Sequence, residues 1–95
     1  MELLTLSTGE AAILQSYPAQ VGRLHFPAGT VMPPTRHEQD ELSFIHTGVL
    51  RAVCGGQPVI LRGGDVSFIP AGEEHEAEVL EDVTLSYVLI GLPKP

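Results

Sequence analysis

The chain has 95 residues and a formal net charge of −7, with five lysine and arginine side chains against twelve aspartates and glutamates. Its basic residues are scattered along the chain, which argues against the basic patch that nucleic acids and anionic membrane surfaces require. A chain of this length forms one domain with a modest core. We therefore predict a single domain, residues 1–95, with no nucleic-acid or membrane partner.

The cysteine content and the first residues indicate where the protein is located. Cys54 is the single cysteine, so no disulfide forms within the chain, which fits a reducing compartment. The first ten residues carry two acidic side chains and no basic one, unlike a secretory signal. No apolar run approaches the roughly 20 residues of a membrane-spanning helix. We predict a soluble, cytoplasmic protein.

The predicted secondary structure is all β. Residues 1–16 are predicted as an N-terminal edge strand or arm, in which residues 9–15 could instead form a short helical turn. The barrel core is predicted over residues 20–91, where short β-branched or aromatic segments alternate with turn residues. In chain order, the predicted strands are 20–26, 42–47, 49–54, 59–61, 65–69, 76–80 and 84–91. Many short strands at regular spacing indicate a small antiparallel barrel or sandwich.

Glycine and proline mark the breaks between these strands, since the chain has ten glycines and eight prolines. Glycine supplies positive φ, and proline presets φ and withholds a hydrogen-bond donor. The predicted breaks are 27–29, Gly48, 55–56, 63–64, 70–72 and 81–82.

His37 and Glu41 form the first pair of ligand-type side chains. On one straight strand they would lie roughly 13 Å apart, too far for a single ion with bonds of about 2 Å. The polar run 38–40 suits a turn, so that His37 ends one strand and Glu41 begins the next, both pointing inward. A helix capped at Thr35 could also place them on one face. The strand-like sequence of 42–47 favours the turn.

The segment around this pair, Gly29-x5-Thr35-x-His37-x3-Glu41-x6-Gly48, resembles the first motif of the cupin superfamily. In that motif the pattern is Gly, five residues, His-x-His, three or four residues, Glu, six residues, Gly. The first histidine of the motif is replaced by Thr35 in this chain.

A second segment, residues 64–75, resembles the second cupin motif. It reads Gly64-x5-Pro70-x-Gly72-x2-His75. Val79 stands at the position of the asparagine that closes the family motif, and the gap of residues 49–63 is the short gap of the smallest cupins. The resemblance implies a small antiparallel cupin barrel, also described as a jelly roll or double-stranded β-helix.

The resemblance also implies a metal site inside the barrel. Cupins usually bind metal with three histidines and a glutamate, and this chain keeps His37, Glu41 and His75. Such a set resembles facial-triad sites with open positions, and it suits divalent Fe, Mn, Ni, Zn or Cu. Thr35 could supply a weak oxygen ligand, hold a water molecule or take no part. Some cupins have lost their metal, so a metal-free barrel remains the alternative.

Three function classes follow from this resemblance. The first is a metalloenzyme (dioxygenase, isomerase or lyase) acting on a small organic acid or sugar derivative, with the metal polarising a carbonyl or activating oxygen. The second is a non-catalytic module that binds or senses a small molecule. The third is a metal-free barrel that serves in assembly. The residues do not identify a catalytic group beyond the metal ligands.

Other chemically capable residues are predicted to have structural roles. His46 is out of parity with Glu41 and is expected to face away from it, and His25 is expected at the surface or in packing. Cys54 is expected to behave as a small buried hydrophobe rather than a nucleophile. Within the acidic run 73–78, all members except the histidine are expected to be solvated.

Three further side chains have two interpretations. Arg51 and Arg62 are expected in surface ion pairs, with contact to a substrate carboxylate as the alternative. Tyr87 is expected in the core, with a hydroxyl presented to the pocket as the alternative. The predicted core side chains are Phe44, Phe68, Ile69 and Leu85.

A homodimer is also predicted. A barrel this small has exposed sheet edges and a limited core. Leu3, Leu4, Leu6 and residues 88–90 are more apolar than one barrel needs. We expect these segments to pair or pack across a two-fold axis, the commonest oligomer symmetry.

Overall fold

The fold is described by a computed structural model that covers the backbone of residues 12–13 and all of residues 19–91. These residues form strands and turns and contain no helix long and apolar enough to cross a membrane. The cytoplasmic location stays a prediction. The strands are β1 (Ala12–Ile13), β2 (Ala19–Phe26), β3 (Val31–Thr35), β4 (Asp40–Cys54), β5 (Gln57–Arg62), β6 (Val66–Ile69) and β7 (His75–Ile90).

The strands form one antiparallel sheet that folds over into two layers. The hydrogen-bonded order is β1-β2-β7-β4-β5, with β3 also paired to β7 and β6 to β4. Strands β4 and β7 pair along their whole lengths, from Asp40 opposite Ile90 to Cys54 opposite His75. Strands β2 and β6 flank one half of this long pair, and β3 and β5 flank the other half. This architecture confirms the predicted antiparallel jelly roll, although the described strands do not close into a hydrogen-bonded ring.

The two long strands bend together where their register shifts, between Ile45 and Leu50. Gly48 lies at the bend with φ of +92°, a conformation that favours glycine. A Cβ atom at this position would overlap the carbonyl oxygen of Asp82 on the partner strand. Glycine is therefore required here both for its backbone angle and for the close approach of the two chains.

The predicted breaks at Gly48 and at residues 81–82 are wrong as chain breaks. Both positions are bends inside continuous strands, because the ladder of hydrogen bonds resumes on each side of the bulge. The segments 42–47 and 49–54 therefore belong to β4, and the segments 76–80 and 84–91 belong to β7. The other predicted strands agree with the observed bounds to within two residues.

Two parts of the chain differ from the prediction near the sheet edges. Strand β3 was not among the predicted strands, because Pro33 and Pro34 withhold donors; it forms an irregular edge beside β7. Ala12 and Ile13 pair with β2, so the predicted edge strand is present there and the helical turn is wrong at these two residues. The rest of residues 1–16, including the leucines assigned to a dimer contact, lies outside the described residues.

Buried side chains concentrate beside the bend. Ile45, Leu50, Val79, Val83 and Leu85 form the core cluster, and Val79 and Val83 have no exposed surface. Val79, at the asparagine position of the family motif, is thus a core residue. We call this region, residues 45–50 and 79–85, the closed end. The opposite region is the open end: residues 35–41, 54, 69–75 and 89.

The predicted core is half right. Ile69 and Leu85 are buried, whereas Phe44 and Phe68 are 39% and 57% exposed. Side chains alternate along a strand, and in the first half of β4, before the register shift, the odd-numbered residues such as Ser43 face the interior. Phe44 therefore points outward, and Phe68 does the same because it pairs with an outward-facing position of β4.

Candidate metal centre

His37 lies in the turn that joins β3 to β4. Its Nδ1 atom is 2.8 Å from the carbonyl oxygen of Gln39, and its own carbonyl accepts a hydrogen bond from the backbone of Gly72. Residues 36–39 form no helix, so the turn predicted between His37 and Glu41 is present and the helical alternative is wrong. The turn brings His37 back over the start of β4.

Glu41 is the second residue of β4 and points into the space between the two layers. Its Oε1 atom is 3.3 Å from His37 Nε2, and its Oε2 atom accepts a hydrogen bond from Ser43 Oγ at 3.1 Å. The side chains of His37 and Glu41 are 23% and 19% exposed. Small ligands can therefore reach the carboxylate, although most of its surface is covered.

His75 is the first residue of β7 and supplies the third side chain. Its Nδ1 atom is 3.0 Å from the carbonyl oxygen of Glu73. Its ring lies 5.0 Å from that of His37, with 70° between the ring planes. Thr35 and Cys54 are its cross-strand neighbours on either side. The exposed Thr35 therefore lies beside the histidine at the mouth of the same cavity.

The hydrogen bonds of the two imidazoles fix which nitrogen is available. A neutral histidine carries one N–H, and a backbone carbonyl beside Nδ1 assigns that proton to Nδ1 in both His37 and His75. Each Nε2 is then a lone pair. The lone pair of His37 faces the Oε1 oxygen of Glu41, so two acceptors meet at 3.3 Å. A cation between them, either a metal ion or an added proton, removes this repulsion.

The three side chains fit a metal ion in both chemistry and spacing. One ligand atom from each of His37, Glu41 and His75 lies within 4.8 Å of the others. Ligands that share one ion at bond lengths of about 2.1 Å lie roughly 3–4 Å apart, so small side-chain rotations suffice. Carbonyl oxygens that hold the distal imidazole nitrogen are the usual second layer of a metal site. These residues could therefore hold a divalent transition metal.

The group lies beside a cavity of about 500 Å³ between the two layers. Its apolar lining consists of Leu24, Phe26, Met32, Pro33, Ile45, Leu50, Ala52, Leu61, Ile69, Ala77, Leu85 and Leu89. Its other lining residues are Thr35, His37, Glu41, Ser43, Cys54, Ser67, His75, Glu76 and Tyr87. The four arginines lie in the described part of the chain and none of them lines the cavity, so the structure does not support contact of Arg51 or Arg62 with a substrate carboxylate inside.

Cys54 and Tyr87 are partly buried and also line this cavity. Burial, followed by the charges of Glu73 and Glu41, raises the pKa of the Cys54 thiol, so it stays protonated at neutral pH. The hydroxyl of Tyr87 accepts a long hydrogen bond from Gln20 at 3.5 Å. The expected role of Tyr87 is therefore confirmed: its side chain packs against the core cluster and its hydroxyl has a hydrogen-bond partner, although the residue also lines the cavity.

The two other histidines lie outside the cavity, whereas one glutamate of the acidic run 73–78 lines it. His46 is exposed and shares a hydrogen bond with Ser86 at 2.7 Å, facing away from the site as predicted. His25 lies on β2 and does not line the cavity. Within the acidic run, Glu74 forms an exposed ion pair with Arg36, whereas Glu76 is half-buried and lines the cavity, contrary to the prediction of a solvated side chain.

Comparison with known proteins identifies the same fold by sequence and by structure. A family model described as a cupin domain matches residues 22–91. No curated protein matches the chain by sequence. Among solved structures, an RmlC-like cupin from Shewanella frigidimarina is 19% identical with a TM-score of 0.73, and the match covers 77% of this chain and 66% of that one.

Two further solved structures are similar. KdgF from Halomonas sp. is 20% identical with a TM-score of 0.73, and the match covers 90% of this chain and 77% of that one. Oxalate decarboxylase from Bacillus subtilis, which has Mn(II) centers, is 20% identical with a TM-score of 0.71; the match covers 80% of this chain and 22% of that one. At these identities the likeness shows a shared fold, and this chain spans less than two thirds of the Shewanella and Bacillus chains.

Proposed function

The chain belongs to the cupin family, and from this premise we propose that it binds one divalent transition metal ion through His37, Glu41 and His75 and uses it to act on a small molecule. The observation that carries the proposal is the convergence of the three side chains: one ligand atom from each lies within 4.8 Å of the others. Two imidazole nitrogens and one carboxylate oxygen at this spacing are a donor set that suits a divalent transition metal.

The residues around the group support this role. Carbonyl oxygens of Gln39 and Glu73 hold the two imidazoles with their Nε2 atoms free. Ser43 holds one oxygen of Glu41 and leaves the other directed at His37. When bound, a metal with three protein ligands supplies open positions at which an oxygen of the ligand is polarised or dioxygen is activated. The apolar lining of the cavity keeps competing water away from a bound molecule.

The reaction class proposed is that of a dioxygenase, isomerase or lyase, with Glu41 as a metal ligand rather than a free base. A module that binds or senses a small molecule without turnover would use the same site. Turnover of candidate substrates by the metal-loaded protein separates these two functions, and metal content separates both of them from a metal-free barrel.

Metal content is tested with three proteins: wild type, His75→Ala and His46→Ala, purified after growth in metal-supplemented medium. His46 is a matched control because it is a strand histidine that points away from the cavity. We expect about one metal ion per chain in wild type and His46→Ala, and at least a tenfold lower content in His75→Ala. Equal, near-zero metal in all three proteins would contradict the proposal.

We also propose a homodimer, as the sequence predicted, but with a different contact: the outer face of β4 and β6 in place of the N-terminal leucines and residues 88–90, of which Leu89 is buried. Phe44, Val66 and Phe68 are 39%, 58% and 57% exposed, and Leu42 pairs with both Phe68 and Val88 on this face. An uncharged apolar surface is complementary to itself, which a two-fold interface requires. The chain carries a net charge of −7, so elsewhere two copies repel one another.

A further inference from the structure

We propose that the ligand of the cavity is a molecule with an apolar body and a single, singly charged chelating head group. The proposed metal site is the premise for the head group. The body is inferred independently from the walls of the cavity. This substrate class is narrower than the small organic acids and sugar derivatives predicted from the sequence.

The walls determine the body of the ligand. Leu24, Phe26, Met32 and Leu61 pack against the core cluster and also line the cavity, so each presents apolar surface to it. A sugar filling this space would bury several hydroxyls against carbon, and each hydroxyl without a partner is costly. Hydrocarbon in the same place gains free energy with every carbon removed from water.

Charge determines the head group. A divalent ion held by Glu41 and two neutral imidazoles carries one net positive charge, which one anionic group neutralises. Among the residues that the structure describes, no arginine or lysine lines the cavity, and a second carboxylate, Glu76, does. A dicarboxylate would therefore place its second charge in an apolar space in which these residues supply no cationic partner. The head group that fits best carries one negative charge and two oxygens for the open metal positions.

The register of the strands gives the ligand its direction. Glu41 and His75 lie at the open end of β4 and β7, whereas Ile45 and Leu85 pair farther along the same strands toward the closed end. Leu24 also pairs with Leu85, and Leu61 pairs with Leu50. A head group on the metal would therefore direct the body toward the closed end, with leucine and isoleucine on several sides.

The primary test uses two chelators with the same head group and different bodies. Tropolone and 4-isopropyltropolone are titrated into Co²⁺-loaded protein, and binding is followed by the visible spectrum of the cobalt. The three added carbons leave the chelating oxygens unchanged, so the ratio of affinities reports the cavity alone. We expect 4-isopropyltropolone to bind at least tenfold more tightly, and oxalate and gluconate to bind more weakly than either tropolone. No gain from the isopropyl group, or tighter binding of oxalate or gluconate, would overturn the inference.

A pair of variants on one strand locates the effect. Leu61→Asn places an amide on the cavity wall, whereas Ile60→Asn places it at the neighbouring, 43% exposed position that does not line the cavity. We expect the affinity ratio to fall to about threefold or less in Leu61→Asn and to stay near the wild-type value in Ile60→Asn. Equal ratios in the two folded variants would contradict the placement of the body. If Leu61→Asn does not fold, the relative affinities of the four ligands for the wild-type protein decide whether the cavity binds an apolar body.

Failure of the metal proposal is recognised separately. Metal-free protein is titrated with isopropylbenzene while the methyl resonances of Leu24, Leu61 and Leu85 are followed by NMR. Shifts at these leucines without cobalt binding would reject the metal site and support the apolar cavity. Cobalt binding without shifts, together with no advantage of 4-isopropyltropolone, would support the metal site and reject the apolar body.

Discussion

The closed end and the open end of this jelly roll are built from the same two strands, yet they bury different kinds of side chain. At the closed end, Val79 and Val83 have no exposed surface and pack against other apolar residues. At the open end, His37 and Glu41 are about one-fifth exposed and contact each other across 3.3 Å. The bends hold the two layers together, so the open end can carry polar groups that a core would not tolerate.

The open end is nevertheless ordered by specific hydrogen bonds. The backbone of Gly72 donates to the carbonyl of His37, and the backbone of Ala71 donates to Asp40 Oδ1, both at 2.8 Å. These bonds join the turn before β4 to the loop before β7, which delivers His75. The candidate ligands are therefore positioned by short polar contacts rather than by packing. The comparison predicts that changes at the closed end affect stability and changes at the open end affect metal binding.

The largest effect is expected at the bend. Gly48→Ala would force a Cβ onto the carbonyl of Asp82 and strain a φ of +92°, at a cost of about 4 kcal/mol in the free energy of unfolding. Gly64→Ala is the control, since Gly64 has φ of +97° with open space around its Cβ position, and should cost about 1–2 kcal/mol. Urea denaturation measures both, and equal losses would show that close packing at the bend is unimportant.

The next effect is expected at the open end. Glu41→Gln keeps the shape of the side chain but removes the charge, so metal affinity should fall about a hundredfold, roughly 2.7 kcal/mol. The stability of the metal-free protein should hardly change, because the carboxylate contributes little packing. Glu74→Gln, an exposed carboxylate paired with Arg36, is the control and should leave metal affinity within about threefold. Competition titration measures affinity, and a similar loss in both variants would show that Glu41 is not a metal ligand.

Thr35 offers a gain of function at the same end. It lies directly opposite His75 on β3 and lines the cavity. Thr35→His should add a ligand and tighten metal binding about tenfold, roughly 1.4 kcal/mol, while closing one open position to chelators. Thr35→Ala distinguishes a hydroxyl ligand from a bystander, since only loss of a ligand lowers the affinity. An unchanged affinity in Thr35→His would show that this position does not reach the ion.

The smallest effect is expected on the outer face of β4 and β6, which belongs to neither the closed end nor the open end. Phe68→Asp should weaken the proposed dimer about fivefold, roughly 1 kcal/mol, because it places a charge in an apolar contact. Ile60→Asp is a control on β5, where an exposed apolar side chain lies on another strand. Sedimentation at micromolar concentration measures the mass. A monomeric wild type, or equal weakening by both variants, would contradict the proposed interface.

The fold class and the grouping of the candidate ligands could both be predicted from the sequence, because both depend on turn residues that are recognisable locally. Glycines and prolines at fixed spacing define the turns that deliver His37, Glu41 and His75. The outward positions of Phe44 and Phe68 could not be predicted in the same way. Which parity of a strand faces the interior depends on its register with partners distant in sequence, and an apolar run carries no such information.

Metal binding by His37, Glu41 and His75 can be seen in an anomalous-difference map from crystals grown with Co²⁺ or Mn²⁺. We expect one peak inside the jelly roll, about 2.1 Å from His37 Nε2, from His75 Nε2 and from a carboxylate oxygen of Glu41. A map without a peak at these three atoms at saturating metal, or with the ion bound to other residues, would contradict it.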